Sequence, residues 1–166
     1  MCGVAWINVI DEDAADERLR VVFEHVRRER GRLSNVFRAH SLNPEALDAH
    51  LTLYMTLMFG ESGLSRAERE LIASVVSATN RCLYCTTHHR EMLVKYVRSE
   101  ETVREILERF EEARVSERER ALIRFVRKLT QSPSSMSSED VEMLRKLGTT
   151  IGRYWTLCWW LRTSTS

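Results

Sequence analysis

Residues 64–89 read LSRAERELIASVVSATNRCLYCTTHH, and the fold follows from how this stretch is parsed. Ser65 with Glu68 three residues on is a capping box, the signature of a helix start. Leu71, Ile72, Val75 and Val76 then recur at helical spacing as far as Asn80. After a short break, the segment Cys82 to Val97 carries a second helical pattern.

The same punctuation extends outward in both directions. Upstream, a helix over about Asp13 to Glu29 places Leu19, Val22, Phe23 and Val26 on one stripe, and Gly31 ends it. Arg32 to Leu42 reads as a loop. Asn43-Pro44 opens the next helix, a cap followed by proline where the missing N–H costs nothing, and it runs through Leu51, Leu53, Tyr54 and Leu57 to Gly60. Downstream, Ser99 starts a fifth helix. Ser116 and Glu119 box a sixth that ends near Ser132-Pro133, and Ser137 with Asp140 begins a seventh that stops at Gly148. No segment alternates as a strand does. The expectation is an all-α, single-domain helical bundle of about six or seven helices.

The chain has 166 residues, 43% hydrophobic and 30% charged, with a formal net charge of +1. That is the composition of an ordinary globular domain with no broad pull toward nucleic acid or acidic membranes. The run Arg27, Arg28, Arg30 and Arg32 reads as a solvated helix end rather than a phosphate site. No apolar stretch reaches the ~18 residues of a membrane span, and Met1 to Trp6 lacks a signal pattern, so a cytoplasmic protein is expected. Four cysteines in such a setting are not expected to form a disulfide framework.

Chemistry concentrates between Glu70 and His89. Cys82 and Cys85 are three residues apart, and His89 follows Cys85 by four, so a helix puts all three on one face. His88 is rotated away. A redox dithiol fits this spacing: one thiolate attacks, the second resolves the product as a disulfide, and a base or cation promotes ionisation. The start of a helix just after Asn80 adds partial positive charge. Two other readings share the residues: a structural zinc site using Cys82, Cys85, His88 and His89, and two buried cysteines beside surface histidines. Adjacent histidines on one helix diverge, which disfavours zinc. A thioredoxin-like arrangement needs strands, and none is expected.

Glu70, eleven residues, Cys82-x-x-Cys85, three residues, His89 resembles the core motif of the alkylhydroperoxidase D-like proteins, in the carboxymuconolactone decarboxylase superfamily. The upstream GRLSNVFRAHSLNPEAL and downstream LTQSPSSMSSEDVEMLRKLG resemble its peroxidase-related subgroup, so the similarity runs over about residues 4 to 148. It implies an all-helical homo-oligomer that reduces organic hydroperoxides or hydrogen peroxide with its dithiol, without cofactor or metal. An unidentified dithiol reductant or reductase would regenerate the pair. By the same resemblance Cys85 is the peroxidatic nucleophile, Cys82 the resolving thiol, and His89 with Glu70 a proton relay. Decarboxylation is not expected, because the likeness is to the cysteine-bearing branch. One departure bears on the relay: some members carry histidine between the cysteines, where this chain has Tyr84. A thiol–disulfide reductase using the same pair, or a non-catalytic helical oligomer or metal-binding module, are the alternative functions.

Other residues carry no functional expectation. Met55 and Met58 read as core or interface filler, His25, His40 and His50 as isolated, and Cys2 as incidental. Residues 149–166 depart from everything before them. Trp155, Trp159 and Trp160 fall there, and no acidic residue follows Glu142. The resemblance also stops at Gly148, where peroxidase-related proteins continue with a helix similar to YDDREILDIVLVVAYFNFVN. That helix can be encoded so that reading from its second base gives TTIGRYWTLCWWLRTSTS and a stop, which is this tail. The tail is therefore expected to be a frameshift product that replaces an apolar helix, in which case Cys158 has no role of its own.

Overall fold

The computed structural model of the chain describes residues 7–148. The frameshift reading of residues 149–166, Cys158 and its neighbouring tryptophans, and Cys2 at the other end all lie outside the described residues. Among those described there are eight α-helices, two short 3-10 turns and no strand, as the all-α reading expects. No described helix is long and apolar enough to cross a membrane. Backbone contacts divide the chain into two compact units on either side of the Gly60–Glu61 link.

The first unit holds α1 (Glu17–Arg30), α2 (Asn35–Arg38) and α3 (Pro44–Phe59). Leu19, Phe23 and Val26 of α1 pack with Phe37, Leu47 and Leu51, all at 4% exposure or less. Each such side chain stabilises the unit by about 1.5–3 kcal/mol. The first helix begins at Glu17 rather than Asp13. Asp16 caps it by accepting from the Leu19 N–H at 2.8 Å, while Asp13 belongs to the 3-10 turn Glu12–Ala14. Helix α2 lies inside the stretch expected as loop. It is one turn long, too short for any periodicity, and is anchored by the buried Phe37. Gly31 takes the left-handed conformation at φ 73° that ends α1, and Asn43 caps α3 by accepting from the Ala46 N–H.

The histidines expected to stand alone do not. His25 bonds Asp48 at 2.8 Å, and the His40 and His50 rings lie 4.9 Å apart. Phe37 meets His50 and Tyr54 edge-on, and the Arg30 guanidinium sits over the Tyr54 and Phe59 rings at 4.8 and 4.7 Å. Met58 is fully buried and Met55 packs against the core, consistent with their reading as filler.

The second unit is built on α4 (Arg66–Thr79), with α5 (Leu83–Val97), α6 (Glu100–Glu108), α7 (Glu117–Gln131) and α8 (Ser138–Lys146). Every residue of α4 from Arg69 to Ser77 is buried, because α5, α6 and α7 all pack on it. Capping boxes at Ser65/Glu68, Ser116/Glu119 and Ser137/Asp140 start α4, α7 and α8, as expected. Arg118 ties α7 to Glu68, and Lys128 ties it to Asp140 of α8.

The α4–α5 link is a Schellman motif. The Arg81 N–H bonds the Ala78 carbonyl and the Cys82 N–H bonds the Ser77 carbonyl, both at 3.0 Å. This geometry needs a left-handed residue after the cap, and Arg81 supplies it at φ 57°, where glycine is usual. Cys82 is consequently the N-cap of α5 and not its first helical residue, a correction to the sequence reading.

Two predictions follow from these units. Left-handed geometry costs a side-chain-bearing residue about 1–2 kcal/mol, while glycine adds about 0.4–1 kcal/mol of unfolded-state entropy. Arg81 is exposed, so Arg81→Gly should raise stability by roughly 0.5–1 kcal/mol in urea unfolding; a loss would show that its side chain matters. In the first unit, burial and then the adjacent His40 lower the His50 pKa from 6.5 to about 4. Between those values the unfolded chain takes up a proton that the folded one refuses. That contribution is intact above pH 6.5 and is lost as pH falls toward 4. Wild type should therefore lose more stability than His50→Gln on going from neutral pH to about pH 4.5, and equal losses exclude His50 as the source.

Candidate active site

Cys82 and Cys85 open α5, and their sulfurs are joined as a disulfide with Cα atoms 5.4 Å apart. That spacing is ordinary for the bond. The Cys82 sulfur also accepts from the Cys85 N–H at 3.3 Å, which is how the cysteine caps the helix. The pair thus sits on the unpaired N–H groups of a helix start, where negative charge is favoured. Both cysteines are partly exposed, and between them Leu83 is 81% exposed.

His89 lies one turn beyond Cys85 on α5. Its Nδ1 donates to Glu70 Oε2 at 2.8 Å across the α4–α5 contact, with the Glu70 side chain 2% exposed and that of His89 18%. Nδ1 is the protonated ring nitrogen in this bond, because an ionised carboxylate only accepts. With Nδ1 engaged by the carboxylate, Nε2 is the ring nitrogen left to exchange a proton. The second oxygen of Glu70 accepts from Arg66 Nη2 at 2.6 Å, one turn earlier on α4. Arg66 was not singled out in the sequence, although its i,i+4 spacing to Glu70 was there to be read.

Of the four side chains a zinc site would share, the two cysteines are bonded to each other and His89 to Glu70. His88 points elsewhere, bonding the Tyr84 carbonyl at 2.9 Å with its ring 4.4 Å from that of Tyr84. The Tyr84 ring therefore lies tilted against that of His88. A cavity of about 600 Å³ opens at the far end of α5, lined by Leu71, Leu93, Tyr96, Ile106, Val115 and Arg118 among others. Eleven residues of helix separate Tyr96 from Cys85, roughly 16 Å, so this cavity does not hold the dithiol. The disulfide stands at the open start of α5 instead.

Comparison with known proteins bears on the same segment. The Carboxymuconolactone decarboxylase family pattern matches residues 44–128. Two solved structures are similar over almost the whole chain. An uncharacterized peroxidase-related protein from Silicibacter sp. TM1040 is 26% identical with a TM-score of 0.82, over 98% of this chain and 90% of that one. An uncharacterized peroxidase-related protein from Ralstonia eutropha JMP134, described as an alkylhydroperoxidase AhpD core, is 25% identical with a TM-score of 0.83, over 99% and 86%. No curated protein matches.

The buried carboxylate yields a stability test. Glu70→Gln keeps the shape but sets an amide N–H₂ against one of two donors, Arg66 or His89. Removing a partner from a fully enclosed ion pair costs about 3–5 kcal/mol, and partial water access at Arg66 and His89 reduces this to roughly 2 kcal/mol. Urea unfolding of the variant checks it; a loss well under 1 kcal/mol would mean the carboxylate is not held as described.

Proposed function

The chain belongs to the carboxymuconolactone decarboxylase family, as an alkylhydroperoxidase D-like protein, and from that premise we propose that it is a dithiol peroxidase acting on hydroperoxides. The observation that carries the reading is the Cys82–Cys85 disulfide at the start of α5, one turn from a histidine held by a buried carboxylate.

In the reduced protein, His89 Nε2 takes the Cys85 thiol proton. The thiolate attacks the terminal oxygen of the hydroperoxide. The O–O bond breaks, Cys85 becomes a sulfenic acid, and the departing alkoxide takes the proton back from His89 as the alcohol. The Cys82 thiol then attacks the sulfenic sulfur: the S–S bond forms, the S–O bond breaks, and water leaves with the Cys82 proton. An external dithiol reduces the disulfide by exchange and is itself oxidised. Glu70 keeps the ring oriented, and Arg66 holds the other carboxylate oxygen in place. The helix start favours both the thiolate and its attack. Leu83 and Tyr84 leave the pair open to a substrate with an apolar body.

The test is the intact mass of reduced protein after thiol alkylation, with and without one equivalent of an organic hydroperoxide. Two alkylation sites should disappear and map to Cys82 and Cys85. Cys82→Ser should stop at a sulfenic acid on Cys85, and Cys85→Ser should consume no peroxide. Retention of both thiols in the wild type overturns the reading.

A further inference from the structure

The register of the α4–α5 hairpin is known at two points. At its closed end the Cys82 N–H bonds the Ser77 carbonyl, and further along His89 bonds Glu70. Antiparallel helices rise equally, about 1.5 Å per residue. One turn from Glu70 toward the closed end is Ser74, and one turn from His89 toward that end is Cys85. Both steps cover about 6 Å, so Ser74 and Cys85 stand at the same level. Glu70, Ser74 and Ser77 also share one stripe of α4, at i, i+4 and i+7, as Cys85 and His89 share one of α5.

Ser74 is fully buried, and its hydroxyl has no hydrogen-bond partner among the described residues. Its neighbours behave differently. Ser77 donates to the Ala73 carbonyl at 2.7 Å and Thr79 to the Val75 carbonyl at 2.6 Å, the usual outlet for a hydroxyl inside a helix. A buried hydroxyl that makes no bond is costly and calls for a physical reason. The redox state of the pair supplies one. In the disulfide the Cys85 sulfur is neutral and a weak acceptor, whereas a thiolate is a strong one.

We propose that the Ser74 hydroxyl donates a hydrogen bond to the Cys85 thiolate in the reduced protein and holds the nucleophile in its ionised form. The inference rests on the reading of Cys85 as the attacking thiol and adds a donor from α4 to the helix start that already favours the charge. Because the bond exists only in the reduced state, Ser74 also biases the pair toward reduction, making it a stronger oxidant.

The experiment is the pH dependence of Cys85 alkylation in the reduced full-length chain, followed by peptide mass so that Cys2, Cys82 and Cys158 do not interfere. Ser74→Ala should move the Cys85 midpoint up by about one pH unit, which is about a tenfold loss of thiolate below the midpoint. Ser74→Thr, which keeps the hydroxyl, should restore it. Ser77→Ala should leave it in place, because that hydroxyl is already engaged by Ala73. In equilibrium with dithiothreitol, the disulfide of Ser74→Ala should be favoured about tenfold over wild type above the midpoint. Coincident titrations of wild type and Ser74→Ala overturn the proposal. Alkylation needs no peroxide, so a chain that ignores peroxide while its Cys85 midpoint follows Ser74 would retain this inference and lose the peroxidase reading.

Discussion

One backbone hydrogen bond, from the Cys82 N–H to the Ser77 carbonyl, sets the geometry of the whole α4–α5 hairpin. Helices are rigid at this scale, so the register chosen at the turn is inherited by every later pair. With Cys82 held against Ser77, Cys85 falls on the first turn of α5 and His89 on the second, opposite Glu70. An extra residue in the turn would rotate α5 by about 100° and carry His89 off that face. The left-handed Arg81 follows from the same tightness, since a shorter reversal than this one is hard to build and this one demands a positive φ. Strain beside the disulfide is thus a consequence of how closely its partner helix must approach.

That approach brings a carboxylate into a nearly dry place. An isolated buried carboxylate would cost several kcal/mol and would take up a proton to escape the cost. Glu70 is instead bonded by Arg66 within its own helix and by His89 from the facing one. An apolar pair in the same space would serve stability at least as well, so packing alone gives no reason for the ion. The stripe of α4 holding Glu70, Ser74 and Ser77 meets the stretch of α5 that starts with a disulfide, while Leu71, Ile72, Val75 and Val76 carry the apolar packing of the unit. One helix therefore does two jobs on different faces, and it can do so because neighbours cover it on nearly every side.

Capping chemistry is what made most of the fold readable. Ser65/Glu68, Ser116/Glu119 and Asn43-Pro44 announce their helices locally, because a cap satisfies orphan N–H groups within three residues of itself. Where two signals competed, the reading slipped. Asp13 and Asp16 are both able to cap, and only the packing of Leu19 into the first unit's core selects Asp16. Cys82 read as helical because its spacing to Cys85 and His89 is helical. A cap residue lies at nearly the same azimuth, so the shared face survived although the assignment did not. Contacts between distant segments left no local trace at all. The His40–His50 pair is ten residues apart across the start of α3, and neither residue marks the other by type. Ser74 is the sharpest case. In the sequence it is one serine among several, and in a lone helix its hydroxyl would turn back to a carbonyl. It becomes informative only when the turn at Arg81 fixes what stands across from it, which is a property of two helices together and of neither one alone.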